Sequence, residues 1–373
     1  MNDPDFARVK EVLLEVMELP RVDQGAALDR LCGDDGPLRA EVESLLAQDG
    51  LLTNDLQPTH PASLDSADTR GGAGAAGSST AIGPYRIGPI IGEGGMGVVY
   101  RATQESPLRR DVALKLIKPG MDSARVLARF GVERQALALM DHPFIARVYD
   151  AGTADSGRPY FVMELVEGEP LTTFCEREGL GVRERLELFL LVCQAVQHAH
   201  QKGIIHRDLK PSNILVTRRD GQPAPKVIDF GIAKAVADPT GPLLTREGLA
   251  LGTPEYMSPE QAGVVPGGAD TRSDVYSLGV ILYELLVGRL PLIFETSSFE
   301  EVRRVLAEQI PARPSQAART AAESAKERGR SPIPDRRRLS RALAGDLDNV
   351  AMKALHKERG RRYSSVEQLA EDI

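Results

Sequence analysis

Cysteine is scarce in this chain of 373 residues, which holds three: Cys32, Cys175 and Cys193. They are odd in number, far apart and without metal-ligand spacing, which argues against a disulfide framework and a cysteine-built metal centre. They read as small buried apolar groups in a reducing compartment, so a cytoplasmic location is expected. Long hydrophobic runs are also missing. The longest, near residues 277–288, is interrupted by Glu284 and falls well short of the roughly 20 residues a bilayer demands. The first 20 residues carry acids throughout and contain no apolar core, so no secretory signal is read. No internal repeat is found. Tryptophan is absent too, but with an ordinary hydrophobic content of 42% that excludes nothing.

Charge of one sign is short in one part only. Residues 1–82 hold 15 Asp and Glu against 6 Lys and Arg, a net of −9, whereas the remainder holds 38 against 40, a net of +2. No basic stripe of the kind nucleic acid requires is visible, so no nucleic-acid partner is expected. The length suits one large domain with a smaller companion.

Within residues 1–50, three short helices are expected. Val9, Val12, Leu13 and Val16 recur at helical spacing, as do Ala27, Leu28 and Leu31, and then Leu38, Val42, Leu45 and Leu46. Pro20 and Pro37 stand where first turns would begin, Gly33 and Gly50 where helices would stop. Residues 51–82 lose all periodicity, and the run of Gly, Ala and Ser from Gly71 has linker composition. From residue 83 the pattern changes. Short β-branched strands are expected at 85–91, 98–103, 111–117, 146–151 and 160–165, with a helix at 123–140 among them. Beyond Gly168 helices dominate; the clearest, 183–201, places Leu186, Leu190, Cys193, Val196 and His200 on one stripe. Residues 312–344 read as a solvated, flexible Ala/Arg/Ser-rich excursion. A strand-rich part followed by a helix-rich part implies two lobes, about 83–166 and 167–373, with a ligand crevice between them.

The densest chemistry is the stretch His206-Arg207-Asp208-Leu209-Lys210-Pro211-Ser212-Asn213, followed by Asp229-Phe230-Gly231 beyond what looks like a hairpin. Phosphoryl transfer from a metal-bound nucleotide needs one carboxylate to orient the attacking hydroxyl, a lysine against the moving charge, and an oxygen pair for metal. Upstream, Gly92-Glu93-Gly94-Gly95-Met96-Gly97-Val98-Val99 fits a phosphate-cradling loop in which glycines let backbone amides reach oxygens. Alone that string is weak, because dinucleotide-binding folds use a similar one. There it leads into a helix; here it continues as a strand, and Lys115 follows eighteen residues after Gly97 within Val112-Ala113-Leu114-Lys115.

Together these motifs resemble a eukaryotic-like (Hanks-type) serine/threonine protein kinase of the bacterial kind, over residues from about 85 to the end. The resemblance implies an α+β, two-lobed kinase fold: an antiparallel sheet plus one helix, then a helical lobe, preceded by the small helical module. It implies ATP as phosphate donor with Mg2+, or Mn2+ in its place. Asp208 would be the catalytic-loop aspartate and Lys210 the contact to the γ-phosphate. Lys115 would bind the α- and β-phosphates and pair with Glu133, and Asn213 and Asp229 would hold the metal. Nucleotide contacts would come from Ile91 through Val99, with Gly92, Glu93, Gly94, Gly95, Met96, Gly97 and Val98 between, and from Ala113, Glu164 and Val166, with Met163 guarding the base pocket. Glu260, in Ser258-Pro259-Glu260, would pair with Arg362, and Asp274 would brace the catalytic loop. Lys210 and Thr253 fit the serine/threonine subclass.

Arg207 beside Asp208 implies control by a phosphorylated loop, with Thr240, Thr245 and Thr253 as candidate sites. Protein substrates bearing Ser or Thr, and a second copy of the chain in trans-autophosphorylation, are the expected partners. Three other readings stand beside this one. A pseudokinase would lack one of Lys115, Asp208, Asn213 or Asp229, and none is missing. A small-molecule phosphotransferase would lack the long segment 229–260. The N-terminal module carries no catalytic group, so an adaptor or inhibitory role suits it. The chain stops at Ile373 within what should be the last helix, so a truncated C-terminal end, with membrane tethering through a part not present, is expected.

Overall fold

In a computed structural model of the chain, the residues described are 8, 12, 15–16, 21–33, 35–39, 42, 81–94, 97–118, 140–230, 254–265, 268–296, 298–327 and 336–373. Near the N-terminus, α1 (Arg21–Cys32) ends at Gly33, whose φ of +52° is the left-handed stop that glycine accepts most readily. Asp35 caps the next turn by accepting the Leu38 N–H at 3.1 Å. Val12, Val16, Ala27, Leu28, Cys32, Leu38 and Val42 close into one small buried cluster. The linker expected at 51–82 lies outside the described residues up to position 80, as does most of the helix expected at 123–140.

A six-stranded antiparallel sheet follows. It contains β1 (Ala81–Ile82), β2 (Tyr85–Glu93), β3 (Gly97–Gln104), β4 (Arg110–Ile117), β5 (Val148–Thr153) and β6 (Pro159–Glu164), in the order β1-β2-β3-β4-β6-β5. Period-two alternation gives β4 two covered faces. Val112, Leu114 and Leu116 join Tyr85, Tyr160 and Val162 on one side. Ala113 and Ile117 join the main core on the other, and Lys115 shares their face. At Gly97 a Cβ would lie 2.6 Å from the Leu116 carbonyl oxygen, so glycine lets β3 and β4 close up at the mouth of the crevice.

After β7 (Glu169–Pro170) come α2 (Leu171–Arg177) and α3 (Val182–Gln201). Then a single 3-10 turn, Pro211–Asn213, leads into the hairpin of β8 (Ile214–Arg219) and β9 (Gln222–Val227). Asp220 and Gly221 turn it with φ of +52° and +79°, the tight form that Asp-Gly favours. The lobes are stitched at β9, where the Ala146 N–H donates to the Val227 carbonyl (2.9 Å) and the Val227 N–H to that of Phe144 (2.8 Å).

The helical lobe is built on α4 (Thr271–Val287), capped by Asp270 and ended by Gly288 at φ +74°. Residues 273–283 of α4 are all buried. Around it lie α5 (Phe299–Glu308), α6 (Pro314–Glu327), α7 (Arg336–Leu343), α8 (Asp346–Ala354) and α9 (Val366–Asp372). A Cβ on Gly279 would meet that of Ala354 at 2.8 Å, so α4 and α8 touch backbone to backbone there. The excursion expected at 312–344 is corrected in part: α6 and α7 are helices, and Ala317, Ala318 and Leu343 are buried. Small side chains, which look featureless in a sequence, allow that close approach. Asp348 anchors α6 by accepting from the Ser315 N–H (2.8 Å) and hydroxyl (2.6 Å).

Candidate active site

The loop between α3 and β8 is held from below by one carboxylate. Asp274, fully buried in α4, accepts from the His206 N–H (2.8 Å), the Arg207 N–H (2.9 Å) and His200 Nε2 (2.7 Å). Burial pushes its pKa up, but the hydrogen bond from His200, the electrostatic pull of that ring and the His206 N–H outweigh that, so it sits below the usual aspartate range. Arg207 is thereby kept at φ +64°, a backbone conformation unfavourable for a branched-out side chain, and Gln261 Nε2 adds a bond of 2.8 Å to its carbonyl. The loop geometry is over-determined.

His206 is wholly buried against the Phe230 ring, centroids 4.6 Å apart. Its Nε2 faces the Ile228 carbonyl at 3.1 Å and its Nδ1 faces the Asp208 N–H at 3.3 Å. That pattern fits a neutral ring protonated on Nε2. Desolvation holds its pKa below the ordinary histidine value. A histidine depressed on folding contributes stability above the unfolded value, about 6.5, which is lost as pH falls below it. We expect melting temperature to fall on acidification below about pH 6.5, and His206→Phe to flatten part of that slope; an unchanged slope would refute the assignment.

On this platform Asp208, Lys210 and Asn213 converge. Lys210 Nζ lies 3.0 Å from Asp208 Oδ2, and Asn213 Nδ2 lies 2.8 Å from the Asp208 carbonyl and 3.3 Å from Oδ2. Across the crevice Lys115, on β4, makes an ion pair with Asp229, in contact with Oδ1 and 2.5 Å from Oδ2. Asp229, two residues beyond the end of β9, also has a positive φ, +59°. The partner expected for Lys115, Glu133, lies outside the described residues.

These groups share one cavity of about 580 Å³. Val99 and Ala113 line its sheet side and Leu215 its helical-lobe side, with Met163 and the segment from Glu164 to Gly168 along the back. Glu164 is tied from behind: its N–H donates to the Arg147 carbonyl (2.8 Å) and its carboxylate pairs with Lys226 (2.8 Å). Of the expected nucleotide contacts, Ile91, Gly92, Glu93, Gly94, Gly97, Val99, Ala113, Lys115, Glu164 and Val166 line the cavity. Val98 does not; alternation along β3 turns it to the other face. Gly95, Met96, Thr240, Thr245 and Thr253 lie outside the described residues. Unforeseen in the sequence were Arg101, Glu167, Gly168, Ser212, Leu215 and Ile228, all lining residues. Period-two spacing from Val99 could have found Arg101.

Beneath the site, Arg362 forks onto Glu260 at 2.7 and 2.8 Å with both side chains fully buried. Ser273 donates to the same carboxylate at 2.7 Å. Burial pushes Glu260 up, yet the Arg362 hydrogen bonds and charge hold its pKa below the ordinary glutamate value.

Residues 85–372 match the family model described as the protein kinase domain. The serine/threonine-protein kinase PknB of Mycolicibacterium smegmatis is 37% identical over 299 residues, spanning 78% of this chain. The serine/threonine-protein kinase pkn3 of Myxococcus xanthus is 39% identical over 288 residues, spanning 76% of it. The chain covers 42% of the former relative's length and 48% of the latter's. A crystal structure of the Mycobacterium tuberculosis PknI kinase domain superposes with a TM-score of 0.56 at 25% identity, covering 80% of this chain and 97% of that one. Among the described residues no helix is long and apolar enough to cross a membrane.

Proposed function

The chain belongs to the protein kinase domain family, on its bacterial serine/threonine branch, and from that premise we propose that it transfers the γ-phosphate of Mg-ATP to Ser and Thr hydroxyls of proteins. The observation that carries this is the convergence of Lys115, Asp208, Lys210, Asn213 and Asp229 on one cavity lined by glycines at one edge and apolar side chains along its walls. A purine fits between Val99, Ala113 and Leu215, and its edge meets the backbone of Glu164 and Val166. The phosphates then extend under Gly92, Gly94 and Gly97 toward Lys115.

Asp208 and Lys210 act at the other end. Asp208 accepts a hydrogen bond from the acceptor hydroxyl and aligns its oxygen with the γ-phosphorus. The new O–P bond forms as the bond to the β-phosphate's bridging oxygen breaks, ADP leaves, and the hydroxyl proton passes late to Asp208. Early deprotonation is disfavoured, because an aspartate near pKa 3.9 faces an alcohol far above it, so alignment and electrostatics supply the rate. Lys210 neutralises charge on the moving group. Asn213 and Asp229 offer a carboxamide and a carboxylate oxygen, a hard donor set suited to Mg2+. Held by these two side chains, such an ion would supply positive charge against the triphosphate. In this structure the Lys115 ammonium stands beside the Asp229 carboxylate, supplying positive charge where the donor set calls for it.

Control by phosphorylation within 240–253 accords with Arg207, which is fixed directly beside Asp208. A phosphothreonine brings about −1.5 to −2 charge and strong acceptors for such an arginine. One assay tests these readings: the full chain incubated with radiolabelled ATP, Mg2+ and a generic basic protein, against Lys115→Met. Wild type should label the substrate and itself, with phosphate mapping to Thr240, Thr245 or Thr253, and the variant should label neither. Equal labelling by both ends the kinase reading; substrate labelling with no phosphate in 240–253 ends the loop reading alone.

A further inference from the structure

The cavity's outer rim is closed by an ion-paired arginine that the transfer chemistry does not use. Val99 and Arg101 stand two residues apart on β3 and so share a face, and both line the cavity. Arg101 sits opposite Ala113 in the β3–β4 register, so the surface formed by Val99 and Ala113 continues outward as an arginine side chain. Its guanidinium is held at both ends. Nη2 lies 2.7 Å from Asp111 Oδ2, and that carboxylate is oriented by the Thr103 hydroxyl at 3.1 Å. Nη1 lies 3.1 Å from Oε1 of Glu167, which belongs to the segment joining the lobes and also lines the cavity. The pair therefore ties the sheet to that segment at the open edge.

We propose that Arg101 is a nucleotide-positioning residue, a strap anchored by Asp111 and closed on Glu167, which covers the exposed edge of the base and slows release of nucleotide. The proposal rests on the reading of this cavity as the ATP site. A planar, weakly hydrated guanidinium stacks on an aromatic face where an ammonium would not. At the same time the ion pair restrains the sheet from lifting off the back of the cavity.

Exposure sets the size of the effect. The Arg101 and Glu167 side chains are 44% and 72% exposed, so the pair is a weak, salt-screened one, and we expect a change of about two- to five-fold. The test uses the full chain and N-methylanthraniloyl-ADP in stopped flow, at about 0.05 and 0.5 M salt, together with steady-state kinetics in ATP. In wild type, nucleotide dissociation should quicken with salt. Glu167→Gln and Arg101→Met should dissociate about two- to five-fold faster at low salt, show little further salt dependence, and raise the KM for ATP more than they alter kcat. Arg101→Lys should recover only part of the loss. Glu167→Gln alters an exposed side chain, so its fold is expected to stay intact whatever Arg101→Met does. Wild-type dissociation rates for Glu167→Gln at both salts would overturn the strap while leaving the kinase reading untouched. A wild-type chain that neither binds the probe nor transfers phosphate would overturn the kinase reading itself.

Discussion

Asp208→Asn should lower kcat by about 10²–10⁴-fold, the range for loss of a positioned general base, and should leave the KM for ATP close to wild type. The replacement keeps shape and removes charge. Lys210 then loses the carboxylate oxygen 3.0 Å from its ammonium, and Asn213 loses a charged acceptor at 3.3 Å. What it should not lose is the loop. Asp274, His200 and Gln261 set the backbone of residues 206–207 without any help from the Asp208 side chain. An interaction made only in the transition state lowers kcat and kcat/KM together, so equal losses in both are the diagnostic result. Steady-state kinetics on wild type and variant decide it, and a loss under about ten-fold would remove Asp208 from the role assigned to it.

Lys115 and Asp229 pose a complementary problem, because they pair with each other across the crevice. The two belong to different lobes and are brought together only by the closing of the sheet onto β9. Lys115 is buried and Asp229 about a quarter exposed, so much of what the pair gains in attraction offsets the cost of taking both charges out of water. On the proposed function, triphosphate oxygens would compete for Lys115 and a metal for Asp229. The ionic contact between the two would then give way to two contacts of the same sign pattern, so the site's charge balance would be kept.

The polar groups of the site were legible because their identities and order are constrained by chemistry; Asp208, Lys210, Asn213 and Asp229 needed no three-dimensional information. Geometry that depends on distant partners was not. Nothing in the spacing announced that Lys115 would reach Asp229, 114 residues away, or that Arg101 and Glu167 would meet. The stripe on α3 was only partly right. Leu188, Phe189, Val192, Ala195 and Ala199 are buried with Cys193 and Val196, while Leu186 and Leu190 are half-buried. That helix is covered by β9, α4 and α9, so its buried face is wider than a one-sided amphipathic pattern suggests. In 312–344 the error had the opposite origin: alanine gives weak hydrophobic signal, yet Ala317 and Ala318 are completely enclosed. The hairpin before Asp229 was the easier reading, since Asp220-Gly221 has the turn chemistry its positive φ angles require.

Arg362→Ala should be strongly destabilising although Arg362 lies outside the cavity. Both side chains of the Arg362–Glu260 pair are fully buried, and Arg362 also donates to the carbonyls of His356, Lys357 and Arg272 at 2.6, 3.0 and 3.0 Å. Removing one partner of such a pair leaves an uncompensated buried charge at a cost of about 3–5 kcal/mol. At roughly 2–4 °C per kcal/mol for a domain of this order, the melting temperature should fall by about 6–20 °C. The comparison that isolates charge from volume is the double change Glu260→Leu with Arg362→Met. With both charges gone, it should be more stable than Arg362→Ala, because buried ion pairs repay little beyond their own desolvation. Activity should fall as well, through position rather than chemistry: Gln261, next to Glu260, supports the Arg207 carbonyl beside Asp208. Scanning calorimetry and kcat on the three proteins provide the check. A single variant melting within about 2 °C of wild type would show that the pair carries less than 1 kcal/mol, and a double variant less stable than the single would show that its charges stabilise the fold outright.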